Sequence, residues 1–391
     1  MKQICKIILS VFAFIFINPG QMKSQDPKLP QPTIWDIPHK TGWEKLMWIH
    51  RSVTFIVVKD RKPTIDTAYI KLYPKRFTVT IPVSARLMYF DLIDWQTNKR
   101  LQFSPNYRYD VGIGLSSRWA TFVANTGITF YNAHKNERGV TKYNDLQLNL
   151  YGKRVTSDIS YQNYHGFYVG NTPKYDYPGG AKYEIRGDVR TTLFATSTYY
   201  IFNFKKFSYR SAFAFTEQQK KSTGSFLLGG YYTLFGMKAD SSLVSSAFAP
   251  YFDPKSHIVQ GSSQTFGVNA GYIYTFVKNK FYITTSIVPG IGLEQEHYKR
   301  SDSTTYRSPF NPSGKLSLRA GFGYDHGNYF IGTNGMYDYF WAFDKSNATL
   351  NYSTGKFRVF IGYRFNFLKA EKKILKKLSL IDYPGDPRNN H

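Results

Sequence analysis

The stretch that decides the fold is "FRVFIGYRFNF", residues 357–367. Its odd positions are all apolar or aromatic: Phe357, Val359, Ile361, Tyr363, Phe365 and Phe367. Its even positions are Arg358, Phe360, Gly362, Arg364 and Asn366. A period of two marks a β-strand with two unlike faces. The usual strand of this kind meets a core on one side and bulk water on the other. Here six bulky apolar groups line one face, and two arginines share the other with a glycine. That combination fits lipid outside and an enclosed polar space within. The stretch has 11 residues, and about 9–11 tilted residues cross a bilayer.

The same parity runs from about Phe77 to Phe367. "YRYDVGIGL" sets Tyr107, Tyr109, Val111, Ile113 and Leu115 against Arg108, Asp110, Gly112 and Gly114. "DLQLNLY" and "VTSDISYQNY" place Asp145, Gln147, Asp158, Ser160 and Gln162 on the polar side. "WATFVANTGITFY", "VRTTLFATSTYYIF", "FSYRSAFAF", "FGVNAGYIYTF", "FYITTSIVPGIGL", "KLSLRAGFGY" and "YFIGTNGMYDYFW" read as further strands. Tight joins fall near 116–118, 152–154, 203–206, 277–280 and 325–328. Long polar joins fall near 132–144, 169–187, 295–313 and 343–355.

Alternating short and long joins are the pattern of an up-and-down outer-membrane β-barrel, with short periplasmic turns and long external loops. A closed sheet also pairs every backbone polar group, which hydrocarbon demands. Tyr107, Tyr109, Trp119, Tyr131 and Trp341 sit near strand ends, as interfacial aromatics do. With both chain ends in the periplasm the strand number is even. The clear strands make 12 if "SFLLGGYYTLF" is set aside. Counting it, with a partner inside "SLVSSAFAPYF", makes 14, which the reading favours; 12 is the alternative.

Composition agrees. The chain has 391 residues, 32 Tyr and 32 Phe, yet a mean hydropathy of −0.39. No run of about 18 uncharged apolar residues offers a helical span. Net charge is +25; Lys2, Lys6 and Lys23 account for three of these, leaving +22 from Asp26 onward. The positive charge is spread over turns and loops, so it points to membrane phosphates and lipopolysaccharide rather than nucleic acid. "MKQICK" followed by the 11-residue "IILSVFAFIFI" reads as a signal peptide, residues 1–25, cut before Asp26. Cys5 precedes that apolar run, and the mature chain has no cysteine. Residues 26–76 form a periplasmic approach segment. Residues 77–367 are the barrel, and 368–391 a basic periplasmic tail, read first as a solvated helical tail and alternatively as a docking segment for a periplasmic protein or the inner-leaflet phosphates.

Five stretches carry a family resemblance: "DTAYIKLYPKRFTV", "QFSPNYRYDVGIGLSSRW", "YQNYHGFYV", "YYIFNFKKFSYRSAFAFTEQQKKSTGSFLLGG" and "GYIYTFVKNKFYITTSIVPGIGL". Across roughly 66–367 the chain resembles an uncharacterised outer-membrane β-barrel family of Bacteroidota, described as a domain of unknown function. The resemblance implies an outer-membrane barrel with no established activity and supplies no catalytic residues.

Chemistry is sparse. The pairs Gly112/Gly114, Gly290/Gly292 and Gly321/Gly323 lie mid-strand, where glycine makes room or bends the sheet rather than cradling phosphate. No metal-binding spacing, nucleophile elbow or cofactor motif occurs. The inner-parity arginines Arg108, Arg210, Arg319, Arg358 and Arg364 are the main candidates, with Asp110, Asp158 and Asp325 as acidic partners. They form either a salt-bridged filling or a net-basic pore. Asn163 and His165, together with Glu217, Gln219 and Lys220 of "FTEQQKKSTGS", are candidates for the outer rim. That run is read as an exposed turn or as a constriction folded toward the lumen. The leading function is a pore or transporter for small anionic or amphipathic solutes. The alternatives are a lipid- or lipopolysaccharide-modifying enzyme using the rim near His165 and Glu217, and a structural or partner-docking barrel.

Overall fold

The structure, a computed structural model, describes residues 65–366 except 74–75, 107, 117–119, 133–134, 178–180 and 346–347. The expected signal peptide, most of the expected approach segment and the basic tail lie outside the described residues. Along the opening stretch, Phe357, Val359, Ile361, Tyr363 and Phe365 are 43–53% exposed, while Arg358, Phe360 and Arg364 are buried at 2–6%. Odd side chains therefore face out and even ones face in.

In chain order the strands are β1 (Ile70–Leu72), β2 (Arg76–Asp94), β3 (Lys99–Ser104), β4 (Arg108–Ser116), β5 (Ala120–Asn132), β6 (Lys142–Tyr151), β7 (Val155–Val169) and β8 (Glu184–Ile201). They continue with β9 (Glu217–Gln219), β10 (Thr223–Lys238), β11 (Ile258–Lys278), β12 (Phe281–Arg300), β13 (Thr305–Arg307), β14 (Asn311–Asp325), β15 (Tyr329–Ala342) and β16 (Thr349–Asn366). Two short helices, α1 (Lys135–Arg138) and α2 (Tyr209–Phe213), interrupt them.

The strands close on themselves. Pairing runs β2, β4, β5, β6, β7, β8, β10, β11, β12, β14, β15, β16 and back to β2; neighbours are antiparallel, as in β2–β4, β7–β8, β10–β11, β12–β14 and β15–β16. β3 and β4 are successive parts of one descending stave. β3 pairs with the end of β2 (Phe90 with Phe103), and β4 pairs with its start (Thr78 with Ser116). β3 also pairs directly with β7 through Phe103 and Val169. That contact bypasses β4, β5 and β6, so the circuit through β3 has ten members and the circuit through β4 has twelve. The hairpin of β5 and β6 is thus wedged into only one end of the wall.

Fourteen staves are not found among the described residues. The sheet's fourteen strands include β3 and the short β13, which pairs only with β12. "SFLLGGYYTLF" is a full stave, β10, paired with β8 and β11. "SLVSSAFAPYF" is a loop carrying a 3-10 turn at Ala249–Tyr251. "FSYRSAFAF", expected as a strand, is not a stave either. It holds α2, whose start is capped by the Ser208 side chain accepting from the Ser211 amide. Phe207, Tyr209, Ala212, Phe213 and Phe215 are all buried, so neither parity of this segment was free to face lipid.

The tight joins at 152–154, 279–280 and 326–328 share one end with the start of β2 and the finish of β16; this is the turn end. The long connections at 133–141, 170–183, 239–257 and 343–348 gather at the loop end. The outer wall carries an apolar band, from Phe226 and Leu228 on β10 through Phe266, Val268, Ile283, Ile287 and Ile291 to β16, each more than 40% exposed. The inside is packed. Near the loop end Phe90 stacks on Phe103 at 4.6 Å and Phe235 on Tyr352 at 4.4 Å, beneath Leu243 and Phe248 of the long 239–257 connection. Gly292 belongs to this interior as expected for a mid-strand glycine: a Cβ there would lie 2.6 Å from the Tyr231 hydroxyl.

Candidate functional site

The middle of the lumen is a polar layer. Arg319 (β14) meets Asp158 (β7) at 2.8 Å, and the Tyr151 hydroxyl donates to Asp158 at 2.9 Å. Lys315, four residues earlier on the same face, donates to Ser197 at 2.6 Å and lies 3.9 Å from Asp338. Ser317 donates to Asp338 as well. Arg86 (β2) reaches Asp145 at 3.0 Å and Asp110 at 3.9 Å, and Tyr143 donates to Asp110. Gln162 joins the layer by donating to Asp145 and accepting from Thr354. A cavity of about 40 Å³ remains between Asp158, Arg319, Asp338, Gln147, Gln162 and Ser197. That is room for roughly one to three waters, not for a solute.

The turn end is filled by an insert. β8 and β10 pair directly, with Ile201 opposite Leu227, yet residues 202–222 intervene between them. The insert runs inward through α2 and returns as β9, which pairs with β1 to make a separate two-stranded sheet. Its polar atoms are tied to the barrel. Arg210 binds Glu217 at 3.0 Å and donates to the Tyr151 carbonyl at 2.6 Å. Ser208 donates to Glu217 at 2.5 Å, and Gln219 donates to the carbonyls of Tyr69, Lys206 and Lys221. Arg358 donates to Asn334 and to the Phe213 carbonyl. Burial raises the pKa of Tyr73 even against nearby Arg364, so its hydroxyl stays neutral and donates to Gln218 at 2.8 Å.

Arg364 links three elements. Its two terminal nitrogens grip Asp325 at 2.8 and 2.7 Å, and Nε donates to the Phe215 carbonyl at 2.7 Å. Its guanidinium lies over the rings of Tyr73 and Phe330 at 4.5 and 4.6 Å. Phe215 itself holds φ of 59°, and its ring packs on Phe330 and Phe360. Phe360, the apolar exception on the inner parity, thus covers the insert.

The expected residues separate into groups. Arg319, Arg358, Arg364, Asp158, Asp110 and Asp325 line the interior. Arg210 is also inside, but on α2 of the insert rather than on a wall strand. Arg108 lies in β4. Asn163 and His165 lie on the outward parity of β7, beside the buried Gln162 and Tyr164. Glu217 and Gln219 do not join them at a rim; both are buried at 5% in the insert at the opposite end, and Lys220 is exposed beside them. The alternation of β7 and the burial of the 202–222 insert hold the two groups apart. Arg86, Asp145, Lys315, Asp338 and Lys356 were not singled out in the sequence. Their shared inner parity, Lys315 with Arg319 and Lys356 with Arg358, was the available signal. With these carboxylates included, the interior arginines face carboxylates or backbone carbonyls rather than an unbalanced basic channel. Among the described residues no group of three His, Cys, Asp or Glu side chains could hold a metal.

An apolar outer wall around a filled polar interior defines the class: a closed antiparallel β-barrel. The chain belongs to the family described as domain of unknown function (DUF4421), whose model matches residues 64–365. No curated protein matches it. Similar solved structures include the outer membrane protease OmpT of Escherichia coli, at 8% identity over 75% of this chain and 98% of that one, TM-score 0.35. Others are the β domain of the Bordetella autotransporter BrkA (12%, 74% and 100%, TM-score 0.32) and the Pseudomonas putida toluene transporter TodX (9%, 75% and 90%, TM-score 0.24). Likeness of this degree says nothing of activity.

Proposed function

We propose that the protein is an integral outer-membrane barrel that forms a closed passage for small solutes, gated by the 202–222 insert. One observation carries this reading: β8 and β10 pair without help from the insert, so the wall does not need it, yet it fills the lumen. A tight turn would join the two strands. The anion preference expected from the inner arginines loses its basis, because their charges are met by carboxylates and carbonyls. A lipid-modifying site shared by His165 and Glu217 is disfavoured by their separation to opposite ends. In planar bilayers the wild type should be silent or open only briefly. Replacing 203–221 by a two-residue turn removes the turn-end part of the filling and leaves the central polar layer and the loop-end aromatic cluster in place, so openings should become longer and more frequent rather than permanent. Constant conductance by the wild type would overturn the reading, as would a folded, inserted deletion variant that stays silent.

A further inference from the structure

The two ends of the barrel differ in charge. At the loop end both signs are exposed, with Glu137, Asp176, Asp240 and Asp302 among lysines and arginines. Among the described residues, the fully exposed ionised groups at the turn end are cations: Lys71, Arg154, Lys205, Lys206, Lys278 and Lys280, with Lys220 and Lys221 beside them. Of the described carboxylates at this end, two are buried in ion pairs and the third, Asp66, is half-exposed. Glu217 and Asp325 are buried against Arg210 and Arg364, and Asp66 turns its oxygen to the Ala68 amide at 2.9 Å.

These cations begin where the apolar band ends. Phe202, Phe276, Phe281, Tyr329 and Phe365 are each more than 40% exposed at the last turn of the wall. Lys278 is paired with Phe281, and Lys280 precedes it. Arg154 lies over the ring of Phe204 at 4.5 Å, and Lys206 and Lys221 flank Tyr69 at 5.1 and 5.5 Å. Aromatic rings settle at the headgroup level of a membrane, and long cationic side chains beyond them extend into the phosphate layer. Surface lysines facing an anionic leaflet are attracted within a Debye length of it.

We infer that the turn end is a cationic collar that binds the phosphates of anionic phospholipids in the leaflet it meets. The inference rests on the reading of the chain as a membrane barrel and adds the lipid class and the residues that select it. The loop end, with both signs exposed, has no such preference.

The test is native mass spectrometry of the full chain released from micelles containing either phosphatidylglycerol or phosphatidylcholine. The wild type should retain phosphatidylglycerol in preference. A variant with Lys205→Gln, Lys206→Gln, Lys278→Gln and Lys280→Gln should lose that preference, with affinity falling about fivefold per lysine removed. A matched loop-end variant, Lys99→Gln, Lys142→Gln, Lys174→Gln and Lys255→Gln, should keep it. Far-ultraviolet dichroism establishes that both variants retain the barrel. Equal retention of the two lipids by the wild type would overturn the collar, and so would equal losses in the two variants. Failure of the wild type to insert into phosphatidylcholine vesicles would instead contradict the membrane-barrel reading itself.

Discussion

Arg364 is the residue whose removal tests the interior most sharply. Its side chain is buried and joins β16 to Asp325 at the end of β14 and to the insert at Phe215. Arg364→Met keeps the length and apolar stem but leaves the Asp325 carboxylate buried without its cation. Breaking a buried pair from one side costs about 3–5 kcal/mol. The Phe215 carbonyl loses its 2.7 Å donor too, though the Thr78 hydroxyl at 3.3 Å still reaches it. Arg364→Lys keeps the charge but not the two parallel bonds together with the Nε donation, so about 1.5–3 kcal/mol is expected. Removing both charges with Arg364→Met and Asp325→Leu should recover much of the loss, to within about 2 kcal/mol of the wild type, because no unpaired charge remains. Urea unfolding in vesicles, followed by tryptophan fluorescence, gives these differences, and the double-mutant cycle isolates the pair. The reasoning fails if Arg364→Met lies within about 0.5 kcal/mol of the wild type, the range of an ordinary surface change. It also fails if the double variant is no more stable than Arg364→Met alone.

Other expected outcomes follow from the same interior and wall. Glu217→Gln removes the Glu217 charge from Arg210, so the insert should open more often, read as rising conductance and faster protease nicking within 202–222. Ile287→Arg, at 56% exposure midway along the apolar band of β12, should cost about 2–4 kcal/mol in vesicle refolding; a neutral result would mean that this face does not meet hydrocarbon. Gly362→Ala sets a Cβ 2.2 Å from the Phe330 ring, and overpacking of this kind should lower stability by about 1–3 kcal/mol in the same urea titration.

Much of the wall is legible in the sequence. In "FRVFIGYRFNF" the side-chain direction follows from the pleat alone, since successive residues point to opposite faces. The bulk of Phe357, Val359 and Ile361 then says what solvent the outer face meets. The same logic put Asp158, Arg319 and Arg358 inside. The reading went astray at "FSYRSAFAF", where alternate aromatics looked like a stave. Its apolar groups were instead placed to pack on every side of a short buried helix. The strand number suffered in the same way: "FSYRSAFAF" and the expected partner inside "SLVSSAFAPYF" both counted as staves, and neither is one.

Sequence by itself determined the period of two, the length of the staves and the alternation of short and long joins. These are local properties: each depends on a residue, its immediate neighbours and the solvent its face requires. Tertiary structure alone decided that the lumen is filled. Arg358 meets the Phe213 carbonyl across 145 positions of chain and Arg364 meets that of Phe215 across 149. No local pattern encodes such pairs. Inner parity tells a side chain to point into the barrel, but what stands opposite depends on how the sheet closes and where the insert folds. Closure brings Asp158 to Arg319 and the insert to Arg364, and so turns a row of apparently free arginines into the seal of the barrel.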